Sequence, residues 1–329
     1  MGAVTSNTSF TVAPEDYAAA REIVRRSVPA VYNAAVHLPR EKRQAVYALM
    51  AFAELTREAM EKSCESAPGE PAPAGGSCCS TSGIDELLAT FAGRIEQMQA
   101  GALKLPAVAQ RDASQHVLAA LAETVRRCQI PAQYLIDFAA GFRVDAANRR
   151  YATWSRLEKY CWQHGGSLGM ALAGILGVTH SDAANKLGRL AVAMQFTRLL
   201  VRIKSDWQRD HIYLPLEDLA RFGYSERELG EGTTDARYRK LMEFEVQRAR
   251  ELYREGAQAI LWLAGDGSRL MVANLTAMGL GVLKKLESAE YDASKRNVTI
   301  AIRERLWRLS AAWKLAKWNR GESAPAVFT

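Results

Sequence analysis

Apolar residues recur every three or four positions along most of the chain, which is the spacing of one face of an α-helix. The segment 187–215 is predicted to open as a long amphipathic helix, which starts at Asp182, and to close on Tyr-Leu-Pro. The same spacing predicts helices on either side of a Leu-Pro break within 17–61, and over 84–100, 113–128, 131–148, 154–176, 236–263, 268–286 and 298–318. No alternating strand pattern of useful length appears between them. We therefore predict an all-α single domain of about ten helices.

Three regions lack this periodicity. Residues 1–13 are predicted to be a disordered N-terminal arm, and residues 319–329 a flexible tail. Residues 63–83 are rich in Pro, Gly, Ser and Cys and nearly devoid of large apolar side chains, so they are predicted to form a flexible loop. The loop is long for an internal connection, which indicates a lid or an insertion. The all-α domain is expected to span residues 14–318.

Composition narrows the range of functions. The 329 residues are 48% apolar, which is ample material for a core. The net charge of +7 is modest and spread along the chain, so it favours an anionic ligand or a membrane surface and does not indicate a nucleic-acid partner. The five cysteines form no CxxC pair, so a zinc site is not expected. Because no signal peptide or transmembrane segment is visible, we expect a cytoplasmic protein, at most in peripheral contact with a membrane.

Charged residues share a face on two of the predicted helices. Arg198, Arg202 and Asp206 follow one another at four-residue spacing, and Arg57 and Glu61 have the same spacing on an earlier helix. Judged by spacing alone, such residues are more often solvated ion pairs than a binding site. The pattern leaves both interpretations open.

Three glycines interrupt the predicted helix 154–176. They are Gly165, Gly166 and Gly169, and they follow Tyr160 closely. Glycine lets another backbone approach, so this stretch is expected to lie against a neighbouring helix.

The order of these segments resembles the squalene/phytoene synthase family. The resemblance is collinear from about Ser27 to Ala311. The segments that show it are LPREKRQAVYALMAFAELTREAME, RRYATWSRLEKYCWQHGGSLGMALAGILG, QFTRLLVRIKSDWQRDHIYLP and AEYDASKRNVTI. It implies the isoprenoid synthase fold, in which helices surround a central apolar cavity. It also implies a prenyltransferase of isoprenoid biosynthesis that joins prenyl diphosphates of the farnesyl or geranylgeranyl type head to head. In the family, Mg²⁺ ions held by aspartate-rich motifs on two facing helices bind the diphosphate.

Both aspartate-rich motifs of the family are altered here. Arg57 stands at the first aspartate of one motif. In the other motif, Arg198 stands in place of an asparagine and Arg202 in place of an aspartate. The carboxylates that remain as candidate metal ligands are Glu58, Glu61 and Asp206.

Other positions keep the family pattern, so the resemblance also assigns roles. The retained residues include Asp145, Tyr160, Gln195, Asp206, Arg209, Tyr213 and Pro215. The candidate catalytic residues are Tyr160, Asp206 and Tyr213. The residues expected to contact the diphosphate are Arg57, Gln195, Arg198, Arg202 and Arg209.

The arginines allow two hypotheses, because a guanidinium group stays protonated and cannot ligate Mg²⁺. In the first, the arginines bind the diphosphate directly, and guanidinium groups or a single residual metal ion help it to leave. The protein would then be a prenyltransferase with altered chemistry. In the second, Arg57 and Arg202 pair with Glu61 and Asp206 across the gap between the two helices, which turns the metal site into a neutralised salt-bridge cluster. The protein would then be a non-catalytic relative that binds lipid or assists assembly. We favour the first because polar residues beyond the metal motifs persist. Nothing in the sequence indicates NADPH or an oligomeric state.

Overall fold

The chain forms α-helices joined by short connections. A computed structural model describes residues 11–64, 81–292, 312 and 315–317, and within these residues it contains thirteen α-helices and no β-strand. The helices are α1 (Pro14–Ser27), α2 (Pro29–Ala34), α3 (Arg40–Cys64), α4 (Thr81–Gln99), α5 (Ala113–Cys128), α6 (Ala132–Ala147), α7 (Trp154–Cys161), α8 (Ser167–Leu176), α9 (Ala183–Trp207), α10 (Leu216–Arg221), α11 (Glu226–Glu231), α12 (Ala236–Ala257) and α13 (Ser268–Ser288). The all-α prediction is confirmed. In this part of the chain, no helix has both the length and the apolarity needed to cross a membrane.

Most long helices lie close to their predicted positions, and α5 has the predicted bounds. The helix α9 begins at Ala183, next to its predicted start, but ends at Trp207, before the Tyr-Leu-Pro segment. The prediction of one continuous helix over 154–176 was wrong, because a π-helical turn at Trp162–Gly166 separates α7 from α8. This turn contains two adjacent glycines, which have a low helix propensity. A second division falls at Pro29, which begins α2 directly after α1 because proline has no N–H to continue the α1 hydrogen bonds.

Several predicted irregular segments lie partly outside the described residues. Residues 11–13 of the predicted arm are not helical. The predicted loop 63–83 is too long at both ends, because α3 continues to Cys64 and α4 begins at Thr81. No proline or glycine occurs between Lys62 and Cys64 to end α3 earlier. The rest of that loop, the tail 319–329 and most of the predicted helix 298–318 lie outside the described residues.

Contacts between helices divide the chain into two compact units. The first comprises Met1–Ala147 with Ala171–Gly177, and the second comprises Asn148–Met170 with Val178–Thr329. Within the first unit, α3 packs on α1 and α5, while α4 packs on α6. Within the second unit, α9 is central, since it contacts α7, α12, α13 and the π-helical turn. The predicted single domain around a central cavity stays a prediction.

Glycines set the position of α9 within the second unit. A Cβ atom at Gly169 would lie 2.5 Å from the carbonyl oxygen of Leu187 on α9. A Cβ atom at Gly165 would lie 3.0 Å from the carbonyl oxygen of Ala191, one turn further along. The predicted close approach of a neighbouring helix at these glycines is confirmed. The contact fixes the rotation of α9, and therefore the side to which its polar residues point.

Candidate functional site

The polar residues of α9 lie on one side of the helix. At about 100° per residue, Gln195, Arg198, Arg202 and Asp206 fall within roughly 80° of one another. We call these four residues the α9 stripe. Gln195 and Asp206 are buried, whereas the Arg202 side chain is 40% exposed. The exposed Lys204 points to the opposite side of the helix. The stripe therefore begins and ends in the protein interior, unlike a fully solvated helix face.

Asp206 uses only one of its two carboxylate oxygens in ion pairs. Its Oδ1 lies 2.5 Å from Nη2 of Arg209 and 3.6 Å from Nε of Arg202. Its Oδ2 is buried and accepts no hydrogen bond within the described part of the chain. The niche at Asp206, which His211 and Tyr213 also line, has a volume of about 10 Å³, close to that of one water molecule. One oxygen of this carboxylate is thus committed to arginine and the other is open.

Gln195 has an unsatisfied amide at the other end of the stripe. Its Oε1 accepts a hydrogen bond from Nε of Arg198 at 3.1 Å, which orients the amide. Its Nε2 is buried and donates to no acceptor among the described residues. Leaving such a group without a partner costs about 1–3 kcal/mol. An oxygen-rich ligand beside α9 would remove this cost.

The segment after α9 is held by residues 149 and 150 through ion pairs and hydrogen bonds that no sequence pattern indicates. Arg150 donates from Nη2 to Oδ1 of Asp210 at 2.9 Å and from Nε to Oε2 of Glu226 at 2.9 Å. The hydrogen bond from Arg150 lowers the pKa of Asp210. The N–H of Ile212 also donates to the carbonyl oxygen of Arg149 at 2.9 Å. These contacts fix the chain between Arg209 and Tyr213, two of the residues assigned roles from the resemblance.

An aromatic stack adjoins this segment in the second unit. Tyr160 is buried, and its ring centroid lies 5.7 Å from that of Tyr213 and 5.5 Å from that of Tyr151. His164 stacks on Tyr160 at 5.7 Å, and His211 stacks on Tyr213 at 5.7 Å. The structure therefore brings together the two tyrosines that the resemblance marks as catalytic. Neither histidine was singled out from the sequence as a stacking partner.

In the altered motif on α3, Arg57 forms ion pairs with two acidic residues of the same helix. Arg57 donates to Oε2 of Glu61 at 2.6 Å and to Oε2 of Glu54 at 2.9 Å. Burial alone would lower the pKa of Arg57, but the hydrogen bonds to Glu61 and Glu54 raise it. The predicted pairing of Arg57 with Glu61 is confirmed, and the bridge to Glu54 is an addition. Glu58 forms no ion pair among the described residues.

Arginine engages two of the three carboxylates that the resemblance offers as Mg²⁺ ligands. Within the described ranges, no three His, Cys, Asp or Glu side chains cluster as metal ligands do. Glu61 is engaged by Arg57, and Asp206 is engaged through Oδ1 by Arg209. Glu58 forms no ion pair among the described residues, and the recorded ion pairs of Glu61 and Asp206 use one oxygen each, Oε2 and Oδ1 respectively. The assignment of Glu58, Glu61 and Asp206 as metal ligands stays a prediction, as does the facing of α3 and α9.

The chain resembles known proteins over most of its length. A family model described as squalene/phytoene synthase matches residues 24–304. A 15-cis-phytoene synthase from Synechocystis sp. is 29% identical over 315 residues, which cover 92% of this chain and 86% of that protein. A phytoene synthase from Thermus thermophilus is 33% identical over 210 residues, which cover 62% of this chain and 70% of that protein.

Solved structures show the same fold. A dehydrosqualene synthase in complex with a ligand aligns with a TM-score of 0.77 at 22% identity, covering 92% of this chain and 97% of that one. The squalene synthase HpnC from Alicyclobacillus acidocaldarius aligns with a TM-score of 0.70 at 19% identity, covering 88% and 99%. The fold is therefore the all-α isoprenoid synthase fold, as predicted. Together with the family model, which matches most of the chain, this places the protein in the squalene/phytoene synthase family.

Proposed function

We propose that the protein is a squalene/phytoene synthase-like prenyltransferase of isoprenoid biosynthesis, acting on a prenyl diphosphate of the farnesyl or geranylgeranyl type. The observation that carries the proposal is the α9 stripe, in which two arginines lie between the open amide of Gln195 and the open carboxylate oxygen of Asp206. The relatives bear the names of enzymes, which does not favour the non-catalytic alternative.

The diphosphate is proposed to bind to guanidinium groups. Arg198, Arg202 and Arg209 supply planar forks of N–H donors that match phosphate oxygens, and Gln195 Nε2 supplies a further donor. In the reaction, the bond between the allylic carbon and the diphosphate oxygen breaks, and the electron pair leaves with the diphosphate. Positive charge held at these oxygens stabilises the departing group. Arg57 stays a predicted contact of the diphosphate.

The aromatic stack is proposed to protect the allylic cation. The faces of Tyr160 and Tyr213 attract positive charge through their π-electrons. Tyr160 is buried, so water that would quench the cation is kept from that part of the stack. In this proposal, Tyr160 and Tyr213 lie beside the reacting carbons, and the arginines contact the diphosphate leaving group.

The proposal gives Mg²⁺ a smaller role than it has in the family. Family members use Mg²⁺, and a metal ion that accompanies the substrate diphosphate is compatible with the open oxygen of Asp206. The donors present, however, fit a diphosphate bound to arginine better than a cluster of metal ions. No step of the proposed reaction depends on protein-bound Mg²⁺.

Calorimetric titration with geranylgeranyl diphosphate tests the site. Arg202→Gln removes one guanidinium group from the stripe and is expected to weaken binding at least about tenfold. Lys204→Gln removes the same charge from the opposite side of α9 and is expected to leave the affinity within about twofold. Equal affinities for the two variants, or no binding by the unmodified protein, would refute the proposal.

A further inference from the structure

A second basic site lies in the first unit, on the surface formed by α1, α2 and the start of α3. Here a cleft of about 390 Å³ is lined by Arg21 of α1, by Tyr32 of α2, and by Arg40, Arg43 and Tyr47 of α3. Cavities that bind small molecules commonly have volumes of about 300–1,000 Å³. We call this feature the α1–α3 cleft. None of its lining residues belongs to the site proposed for prenyl transfer.

The three arginines of the cleft lack carboxylate partners. Neither Arg21, Arg40 nor Arg43 forms an ion pair within the described residues, and the cleft lining contains no acidic residue. By contrast, the nearby Arg25 pairs with Glu22 at 2.6 Å and Arg127 pairs with Glu41 at 3.5 Å. Three guanidinium groups without a carboxylate in hydrogen-bond contact surround one concavity and produce a positive potential that attracts anions.

The side chains of the cleft are partly ordered before any ligand binds. Tyr32 and Tyr47 stack with their ring centroids 5.4 Å apart and their planes 13° apart. The hydroxyl of Tyr47 donates to the carbonyl oxygen of Tyr32 at 3.1 Å, which holds the stack in place. Nη2 of Arg21 donates to the hydroxyl of Tyr32 at 3.1 Å, so this guanidinium group is held at the cleft with most of its donors free. Preorganisation of this kind lowers the entropic cost of binding.

The start of α3 adds to the positive potential. Arg40 and Arg43 lie in the first turn of this helix of 25 residues, where backbone N–H groups point out of the helix and the helix dipole is positive. The same combination of a helix start with arginine side chains binds phosphate groups in many proteins.

We propose that the α1–α3 cleft is a binding site for a phosphate-bearing anion, separate from the α9 stripe. The ligand chemistry has two sources, a free phosphate or diphosphate compound and the headgroup of an anionic phospholipid. The second source is included because Val36, which also lines the cleft, is 50% exposed.

Binding of inorganic pyrophosphate to the full-length protein tests the free-anion source. The variant Arg40→Gln/Arg43→Gln is compared with Arg26→Gln/Arg94→Gln, which removes two exposed arginines of the same unit that do not line the cleft. Both variants carry Arg198→Gln and Arg202→Gln, so that the α9 stripe does not contribute to the measured binding. The cleft variant is expected to bind pyrophosphate at least about tenfold more weakly than the control. Circular dichroism and the thermal unfolding midpoint verify that both remain folded.

Co-sedimentation with vesicles tests the headgroup source. Vesicles of phosphatidylcholine alone are compared with vesicles that also contain phosphatidylglycerol, using the same two variants. Loss of binding to the anionic vesicles in the cleft variant alone supports the phospholipid source, and a loss confined to pyrophosphate supports the free anion. If the cleft variant and the control match in both assays, the proposed site is refuted. That result would leave the prenyltransferase proposal untouched, because that proposal is tested at Arg202.

Discussion

At the scale of single residues, the resemblance places arginines where the family is expected to have aspartates. Arg57 and Arg202 each form ion pairs with acids of their own helix, Glu61 and Asp206 respectively. The pairs reduce the local charge but leave donors free, since a guanidinium group has five N–H donors. These side chains are therefore suited to contact a diphosphate.

Reversing one substitution should change the role of the metal. Arg202→Asp places a second carboxylate four residues from Asp206, on the same side of α9, where the two can chelate a hard cation. Diphosphate binding by this variant is expected to require Mg²⁺, whereas binding by the unmodified protein is expected to persist in EDTA. Calorimetry with and without Mg²⁺ measures both, and Lys204→Asp is the control on the opposite side. Loss of binding by the unmodified protein in EDTA would contradict this account of the stripe.

A buried acid outside the proposed site should make stability depend on pH. Burial raises the pKa of Glu245 to about 8, an effect that Arg248 opposes and Asp218 reinforces. The carboxyl is then protonated in the folded protein between pH 4.5 and 8 but ionised in the unfolded chain. This contribution to stability is complete below pH 4.5 and is lost as the pH rises towards 8, amounting to at most about 5 kcal/mol.

Substitution of Glu245 isolates that effect. Glu245→Gln keeps a neutral hydrogen-bonding group and should remove most of the decline in the free energy of unfolding between pH 4.5 and 8. The exposed Glu243, two positions earlier on α12, supplies the control Glu243→Gln, which should retain the decline. Urea unfolding across this pH range measures both. An unchanged slope in Glu245→Gln would show that the carboxyl is not held protonated.

At the scale of helices, α9 depends on close contact with the start of α8. A side chain at Gly169 would meet the backbone of Leu187 and Gly188, which cannot move aside as a flexible side chain does. Gly169→Ala is therefore expected to lower the free energy of unfolding by about 1–3 kcal/mol. Gly93→Ala on α4, where a Cβ would meet nothing within 4 Å, is expected to raise it by up to about 1 kcal/mol. Equal effects in urea unfolding would refute the proposed contact.

Hydrophobic spacing was enough to predict the helices but not their interruptions. The long helices α5 and α12 carry many turns of apolar periodicity, so their positions follow from local sequence. The π-helical turn at Trp162–Gly166 keeps a helical appearance in the sequence and was missed. Short helices such as α10 contain too few turns for a periodic pattern, and they are not among the predicted helices.

Side-chain contacts were predictable only when they lie within one helix. The pair Arg57–Glu61 follows from four-residue spacing and is present. The clamp from Arg150 to Asp210 joins residues that are 60 positions apart, and no local pattern indicates it. The open atoms of Gln195 and Asp206 are likewise a property of packing, because the sequence shows only that both residues are polar.

At the scale of the whole molecule, which has a net charge of +7, the arginines differ in whether an acidic residue pairs with them. Most of the described arginines form ion pairs, but those of the α1–α3 cleft do not, and those of the α9 stripe retain free donors. Each compact unit therefore contains one group of arginines that is suited to an anion. This distribution supports an anionic substrate and gives no support to binding along a nucleic acid.

The central claim is that a family site rebuilt with arginines still transfers a prenyl group. The most direct measurement incubates the unmodified protein with geranylgeranyl diphosphate and with farnesyl diphosphate in the presence of Mg²⁺, and quantifies released diphosphate and extractable prenyl product. We expect both to accumulate, to be lost in Arg202→Gln and to persist in Lys204→Gln. Binding of the substrates without any release of diphosphate would contradict the claim, and would identify the protein as a non-catalytic member of its family.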